Sequence, residues 1–317
     1  MDVEALVRGV LAGERRAVAR AISAVEDGAD DLEALSEGIF GSTGRAATIG
    51  LTGAPGVGKS TLAAGLVRVG RARDLRVAVL AVDPTSPYTG GALLGDRVRM
   101  QEHATDPNVF IRSMATRGHL GGMALAAPEA VRILDAAGYD RVVVETVGVG
   151  QAEVDVAAAT DTAVVVLAPG MGDAVQMAKA GILEVADVFV VNKADRDGAH
   201  EVVRELRQML HLGAARDWEP AVLTATATGD EGIDEVWEAV EAHRAHLEAS
   251  GALEDKRRVR LLREVEALAA ARFRLEIAGA LRADPGLADD LVQRRTDPYA
   301  AAAMLAGRAA SRGIGRV

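Results

Sequence analysis

The pattern of apolar and polar positions predicts a central α/β domain. Between residues 47 and 245, short apolar runs alternate with stretches of helical periodicity. Six runs stand out: "ATIGLTG" (47–53), "VAVLAVDP" (77–84), "RVVVETVG" (141–148), "TAVVVLAPG" (162–170), "VFVVNKAD" (188–195) and "PAVLTATA" (220–227). Continuous apolar runs with helices between them are typical of parallel strands that are covered on both faces. We therefore expect a mostly parallel sheet with helices on both sides.

The regions on either side of this domain are helical by pattern. In residues 1–44 apolar side chains recur at helical spacing, although Glu14 falls among them. Residues 246–317 are rich in Arg, Leu and Ala, with a break at Gly251. The pattern predicts an N-terminal helical arm (1–44), an α/β domain (45–245) and a C-terminal helical extension (246–317). We expect the extension to form a helical hairpin that dimerises, the alternative being a lid that only packs on its own chain.

Charge and composition narrow the choice of partners. The net charge of −10 argues against nucleic acid or an anionic membrane as the main partner, since both favour a basic surface. The absence of cysteine excludes disulfides, thiolate metal sites and cysteine nucleophiles. No apolar run approaches the roughly 20 residues that a membrane-spanning helix needs. With no secretory signal at the N-terminus, we expect a cytoplasmic protein.

A glycine-rich loop after the first run has the spacing of a phosphate-binding loop. "GAPGVGKST" (53–61) matches G-x-x-x-x-G-K-[ST] and precedes a helical stretch. Its backbone N–H groups and the helix N-terminus would surround phosphates, Lys59 would contact the β- and γ-phosphates, and the Ser60 hydroxyl would hold Mg²⁺. The predicted nucleotide-binding residues of this loop are Gly53, Ala54, Pro55, Gly56, Val57, Gly58, Lys59, Ser60 and Thr61. The loop predicts a nucleoside triphosphate with Mg²⁺.

The fifth run ends in "NKAD" (192–195), which predicts that the base is guanine. The chain has only two asparagines and four lysines, so their adjacency at Asn192 and Lys193 is unusual. Asp195 would accept two charge-assisted hydrogen bonds from guanine, which adenine cannot donate. The segment resembles the guanine-reading motif of P-loop GTPases, and this resemblance implies that Asn192 holds the base and the loops around it and that the Lys193 stem lies along the ring. After the sixth run, a loop containing Thr226, Ala227 and Thr228 would close over the base.

Two strand ends carry further candidates for the γ-phosphate and the metal. Glu145 stands at the end of "VVVET", where its carboxylate could hold Mg²⁺ directly or through water. Gly148 follows and could bring its N–H group to the γ-phosphate. Asp83, at the tip of the second run, is a second candidate for Mg²⁺ or for orienting the attacking water, although Asp before Pro also begins turns. Lys179 lies in a later helical stretch, where a solvated lysine is equally plausible on sequence alone.

With these residues in view, the chain resembles the MeaB/ArgK family of P-loop GTPases. The resemblance rests on the phosphate loop, "VDPTSP", "GALLGDRVRM", "MATRGHLGG", "ETVGVGQ", "PGMGDAVQMAKAGILEVAD", "NKAD" and "GIDEVW" in this order, over about residues 5–245. It implies a homodimer that assists cobalamin-dependent acyl-CoA mutases, above all methylmalonyl-CoA mutase, in cofactor loading and protection. It also implies slow, mutase-stimulated hydrolysis of GTP to GDP and phosphate, with Lys179 in a switch that the mutase orders.

Three other functions are compatible with parts of the sequence. An older label for the family is a kinase of a lysine/arginine/ornithine transport system, and a kinase could use the same phosphate loop. A nickel-delivery GTPase is disfavoured because such proteins use Cys or clustered His, and this chain has no Cys and six scattered His. The last alternative is a binding module in which the nucleotide is only structural. We expect a GTPase with Mg²⁺ as its cofactor.

Overall fold

A computed structural model describes most of the chain. The described residues are 2–29, 31–83, 103, 105–115, 123–146, 156, 158–170, 182–213 and 216–313. The helices are α1 (Val3–Leu11), α2 (Arg15–Asp27), α3 (Leu32–Phe40), α4 (Lys59–Ala72), α5 (Met123–Ala136), α6 (Ile182–Val185), α7 (Ala199–Leu212), α8 (Ile233–Ser250), α9 (Ala252–Arg282), α10 (Gly286–Val292) and α11 (Pro298–Gly313). The strands are β1 (Ala47–Thr52), β2 (Val77–Asp83), β3 (Val109–Ala115), β4 (Arg141–Thr146), β5 (Thr162–Leu167), β6 (Val188–Asn192) and β7 (Ala221–Ala225).

The strands form one sheet in which every pairing is parallel. Its order is β3-β2-β4-β1-β5-β6-β7, with seven strands among the described residues. This arrangement confirms the predicted α/β class, with helices packed on both faces. Each of the six apolar runs contains one strand, whereas β3 was not predicted from the sequence. The reason is that β3 is an edge strand with a polar centre, where the Arg112 guanidinium leaves the sheet to donate to Ser23 Oγ at 2.8 Å.

Two hydrophobic layers cover the middle of the sheet. One face packs α4 and α8, whose Leu66 and Trp237 join Val79 and Val143 of the strands in a single buried cluster. The other face packs α5 and the N-terminal helices α1–α3. The predicted helical arm is therefore part of the core of this sheet, because its apolar side chains, for example the fully buried Ile22, lie in the same cluster as the strands.

A break between the first two helices explains the irregular pattern of the arm. Gly13 has a φ of 70°, a conformation that favours glycine, and it separates α1 from α2. Glu14 occupies the N-cap position of α2, so it interrupts no apolar face. Leu11, the last residue of α1, is 42% exposed, whereas Leu6 and Val10 of the same helix are buried.

The chain divides into two compact units, Met1–Leu261 and Leu262–Val317. The second unit consists of the later turns of α9 together with α10 and α11. Its small core contains Ala280, Leu287, Ala301 and Leu305, and an ion pair joins Arg308 to Asp284 at 2.7 Å. No helix in the described ranges is long and apolar enough to cross a bilayer.

The first turns of α9 are bound to the sheet through a buried carboxylate. Asp161, 2% exposed at the start of β5, accepts hydrogen bonds from the Thr48 N–H at 3.1 Å, from Arg257 at 2.8 Å and from Arg260 at 2.9 Å. Although burial opposes it, hydrogen bonding and charge from these two arginines lower the pKa of Asp161 to about 2. Lys256 donates to the Asp161 carbonyl at 2.7 Å. This cluster lies at the amino ends of the strands, opposite the candidate site described below.

Candidate nucleotide-binding site

The candidate site lies along the carboxyl edge of the sheet. Because all strands are parallel, the segments that follow β1, β4, β6 and β7 leave the sheet at this one edge. Ligands of open parallel sheets bind beyond these strand ends. The order of the strands places β1, which leads into the phosphate loop, between β4 and β5 at the centre of the sheet.

The phosphate loop connects β1 to α4 through two glycines that no larger residue could replace without rearrangement. Gly53 has a φ of 137°, and a Cβ atom there would lie 2.1 Å from the Val166 carbonyl oxygen. Gly58 has a φ of 100°, and its Cβ atom would lie 2.3 Å from Asn192 Nδ2. The neighbouring strand and the base-recognition segment therefore fix the path of the loop.

Lys59 begins α4 and folds back over the loop. Its ammonium group donates to the carbonyl oxygens of Gly53 at 2.7 Å and Ala54 at 3.1 Å, and the residue is 5% exposed. A buried ammonium needs such acceptors, and an anion bound at the helix N-terminus could supply them as well. The side chain is therefore positioned for a phosphate at the loop.

The side chains of Ser60 and Glu145 place buried oxygen atoms side by side next to the phosphate loop. The Ser60 hydroxyl donates to Glu145 Oε1 at 2.6 Å, and the two residues are 7% and 5% exposed. The register that pairs Leu51 of β1 with Glu145 of β4 brings the carboxylate to the loop. A hydroxyl and a carboxylate are the hard ligands that Mg²⁺ prefers, so the donors present fit this ion. Asp83 ends β2, the strand next to β4, and its side chain lies outside the described part of the structure.

Asn192 joins the phosphate loop to both base-recognition segments. It is 2% exposed, its Nδ2 donates to the Val57 carbonyl at 2.8 Å, and its Oδ1 accepts from the Ala227 N–H at 3.1 Å. Lys193 has a φ of 58° and donates from Nζ to the Gly56 carbonyl at 2.6 Å. Asp195 is exposed to solvent at the same edge. The carboxylate is therefore accessible to the donors of a base.

The loop after β7 is held in a compact turn. The Thr226 N–H donates to the Glu231 carbonyl at 3.0 Å, and the Gly229 N–H donates to the Thr226 carbonyl at 2.8 Å. Gly232 ends the turn with a φ of 79°, and α8 follows it. Ala227 is buried while Thr228 is exposed, so the backbone of Ala227 faces Asn192 and the end of the turn faces solvent.

The structure thus brings together the predicted loop residues 53–61, Glu145, the "NKAD" segment and the turn at 226–228. Gly148 and Lys179 lie outside the described residues, so their roles stay predictions. Two buried threonines were not among the predicted site residues. Thr52 and Thr146 end adjacent strands and are 0% and 1% exposed. Their hydroxyls have no hydrogen-bond partner in the described structure. Each directly adjoins a motif residue, and this adjacency was the available signal.

The fold and this site define a P-loop GTPase. The family model described as "Methylmalonyl Co-A mutase-associated GTPase MeaB" matches residues 18–280. The chain therefore belongs to the MeaB family of GTPases, as its motifs indicated.

Relatives agree with this assignment over most of their length. A Pyrococcus horikoshii protein whose name places it among GTPases is 46% identical over 95% of this chain and 96% of its own. The GTPase ArgK of Escherichia coli is 41% identical over 79% of this chain and 78% of its own. The mouse methylmalonic aciduria type A homolog, named as mitochondrial, is 36% identical over 80% and 66%.

A similar fold occurs in a solved structure described as an LAO/AO transport system kinase. The two chains superpose with a TM-score of 0.71 at 28% identity, covering 96% of each. The match covers nearly the whole chain and supports the same fold assignment.

Proposed function

We propose that this protein is a GTP-hydrolysing chaperone of a cobalamin-dependent acyl-CoA mutase, with methylmalonyl-CoA mutase as the client. The observation that carries the proposal is the connected site, in which Asn192 binds the Val57 carbonyl of the phosphate loop at 2.8 Å and the Ala227 N–H of the base loop at 3.1 Å. The names of the family and of the mouse relative support the client. The protein would gate cofactor loading and protect the mutase from inactivation.

The proposed chemistry is attack of water on the γ-phosphorus, which breaks its bond to the β–γ bridging oxygen and yields GDP and phosphate. Lys59 would leave the loop carbonyls for the β- and γ-phosphate oxygens. Asp195 would select guanine by accepting from its N1–H and 2-amino groups. Ser60, Glu145 and Asp83 would hold Mg²⁺, and the bound ion would neutralise charge that develops on the phosphates.

Slow hydrolysis without the mutase is the second part of the proposal. Hydrolysis is slow when no positive side chain stabilises the negative charge on the phosphoryl group in the transition state. Supplying such a side chain typically accelerates related GTPases about 10³- to 10⁵-fold. We assign this charge to Lys179, delivered when the mutase orders the switch that contains it. Client binding would then raise the hydrolysis rate without changing the nucleotide bound.

The direct experiment is steady-state phosphate release from GTP, with and without purified methylmalonyl-CoA mutase. We expect slow release alone and strong stimulation by the mutase. Lys179→Ala should remove the stimulation, and Lys179→Arg, which keeps the charge, should restore part of it. Slow turnover that the mutase leaves unchanged would contradict the client, and no turnover under any condition would favour the structural-nucleotide alternative.

The older kinase function is retained as a second candidate because the similar solved structure carries that description. A kinase would transfer the γ-phosphate to an acceptor, whereas a GTPase releases it to water. Incubation with γ-labelled GTP and candidate acceptors therefore distinguishes them. Labelled acceptor in place of free phosphate would support the kinase.

We further propose that the protein is a cytoplasmic homodimer that pairs through its C-terminal extension. Apolar side chains along α9 support this, because Val259, Leu262, Val265 and Leu268 are 48%, 64%, 62% and 51% exposed. Unpaired apolar stripes of this kind commonly mark interfaces. The molar mass from light scattering should equal two chains, and Leu262→Asp combined with Val265→Asp should reduce it to one. A monomeric wild-type protein would contradict this proposal.

A further inference from the structure

The two edge strands of the sheet differ in how closely an arginine side chain contacts their backbone. At the β3 edge, Arg15 of the N-terminal arm donates to the carbonyl of Val109 at 3.0 Å, and its guanidinium lies 5.9 Å from the Phe110 ring centroid. At the β7 edge the described residues provide one longer contact of this kind, from Arg207 to the Val222 carbonyl at 3.4 Å, and β7 pairs there only with β6. Proteins normally protect a free strand edge, because its unpaired backbone groups can receive another strand. The unpaired backbone groups at the β7 edge are therefore a candidate binding surface for another strand.

A groove of about 790 Å³ runs between α7 and this open edge. Its apolar lining comes from Val203 and Leu210 of α7, from Ala221 and Val222 of β7 and from Pro220, which precedes β7. The three residues Ala221, Val222 and Leu223 are only half-buried. An extended chain lying on β7 would cover this apolar surface and gain backbone hydrogen bonds at the same time.

The rim of the groove is basic, although the whole chain is acidic. His200, Arg204, Arg207 and His211 all line the groove and follow one another at intervals of four, three and four residues, which places them on one face of α7. Glu219 is the acidic member of the described lining. In a chain with a net charge of −10, this stripe is a local exception.

The two arginines of the stripe are available to a partner. Both are exposed, and neither lies within ion-pair distance of a carboxylate in the described part of the chain. Arg207 makes one long contact, to the Val222 carbonyl at 3.4 Å on the edge strand itself. An exposed guanidinium that reaches the strand edge can bind a carboxylate carried by an added strand.

We propose that the α7–β7 groove binds an extended acidic segment of a partner protein. The segment adds as a strand beside β7 and pairs its carboxylates with Arg204 and Arg207. Backbone pairing gives the extended conformation, and the basic rim selects acidic side chains. This site lies on a sheet edge and makes no use of the nucleotide, so it is independent of the proposed GTPase cycle.

The test uses the full chain and a fluorescein-labelled ten-residue peptide that alternates glutamate with valine. Fluorescence anisotropy should show binding that weakens as salt is raised, because the contacts are exposed ion pairs. Arg204→Gln with Arg207→Gln should weaken binding about tenfold, because two surface ion pairs are lost. The control is Arg16→Gln with Arg20→Gln, two exposed arginines four residues apart on α2.

Two altered peptides separate the contributions of charge and strand pairing. Replacing every glutamate by glutamine should weaken binding about as much as the arginine variants do. Replacing alternate valines by proline should abolish binding, because proline lacks the N–H group that a paired strand needs. The proposal is overturned by absence of binding at millimolar peptide, by equal binding to both double variants, or by undiminished binding of the proline peptide.

Discussion

Asn192 Nδ2 lies 2.8 Å from the Val57 carbonyl oxygen, so one side chain joins the base-recognition segment to the phosphate loop. The same amide accepts the Ala227 N–H through its oxygen. Because Asn192 is 2% exposed, water cannot replace either partner without rearrangement. The phosphate-binding and base-binding segments are therefore linked directly through one side chain, and a substitution in either segment should affect the other.

The first prediction concerns this connection. Asn192→Ala should lower the free energy of unfolding by about 2–4 kcal/mol, because two hydrogen bonds are lost and a buried carbonyl and N–H group are left unpaired. Urea denaturation measures this, and calorimetry should show weaker GTP binding in the same variant. Asn108→Ala, at the only other asparagine of the chain, is the control and should stay within about 0.5 kcal/mol of the wild type. Equal stability of the two variants would contradict the prediction.

The second prediction concerns the paired oxygens of Ser60 and Glu145. Glu145→Gln keeps an acceptor for the Ser60 hydroxyl but removes the charge that a divalent cation requires. We expect the Mg²⁺ concentration for half-maximal GTP hydrolysis to rise at least about tenfold, with little change in stability. Titration of Mg²⁺ in a phosphate-release assay measures the shift. Glu37→Gln, an exposed carboxylate on α3, should leave the titration unchanged.

Base selection gives a third prediction, at Asp195. Asp195→Asn should weaken GTP binding about 100-fold, because an amide cannot accept both guanine donors and the charge is lost. The same variant should gain affinity for xanthosine triphosphate, whose 2-carbonyl can accept from the new amide. Competition between the two nucleotides measures the preference, with Asp197→Asn, exposed two residues away, as the control. An unchanged guanine preference would disprove the assignment of the base.

A fourth prediction follows from a buried imidazole. His243 is 2% exposed, and burial lowers its pKa to about 4 against opposition from Asp187 and Asp161, with Lys256 and His246 adding to the depression. As the pH falls, the imidazole is therefore protonated at a higher pH in the unfolded chain than in the folded protein. Stability should be complete above the ordinary value of 6.5 and should decline towards pH 4, by up to about 3 kcal/mol in total.

Urea denaturation at pH 7 and pH 5 tests this decline. His243→Gln removes the titrating group while keeping a hydrogen-bonding side chain near Thr162 Oγ1, which lies 2.9 Å from His243 Nδ1. The variant should lose less stability than the wild type between the two pH values. His211→Gln, at an exposed histidine of α7 that does not act on His243, is the control, and its pH dependence should follow that of the wild type. Identical slopes for the wild type and His243→Gln would show that another group is responsible.

Contiguous motifs made most of the site predictable from the sequence. The phosphate loop and "NKAD" are short contiguous segments that can be recognised without tertiary context, and parallel strands bring their ends to one edge. The cluster around Asp161 could not be predicted, because its partners Arg257 and Arg260 lie 96 and 99 residues away. Strand β3 was missed for a different reason, since Arg112 and Ser113 at its centre interrupt the apolar run on which strand prediction depends.

The contacts of the buried Asp161 also limit where recombination or truncation can separate the C-terminal extension from the nucleotide domain. The turn at Gly251 between α8 and α9 is the obvious joint in the sequence, but a break there removes both guanidinium groups from the carboxylate. An uncompensated buried charge typically costs about 3–5 kcal/mol, a large part of the stability of an ordinary domain. A natural exchange of C-terminal extensions between relatives, or an engineered fusion, would keep these contacts by crossing over after Arg260 or by supplying arginines at the same two places. The segment that must stay together with the nucleotide domain is thus longer than the sheet and its loops. It includes the first three turns of α9, a helix that continues beyond this segment.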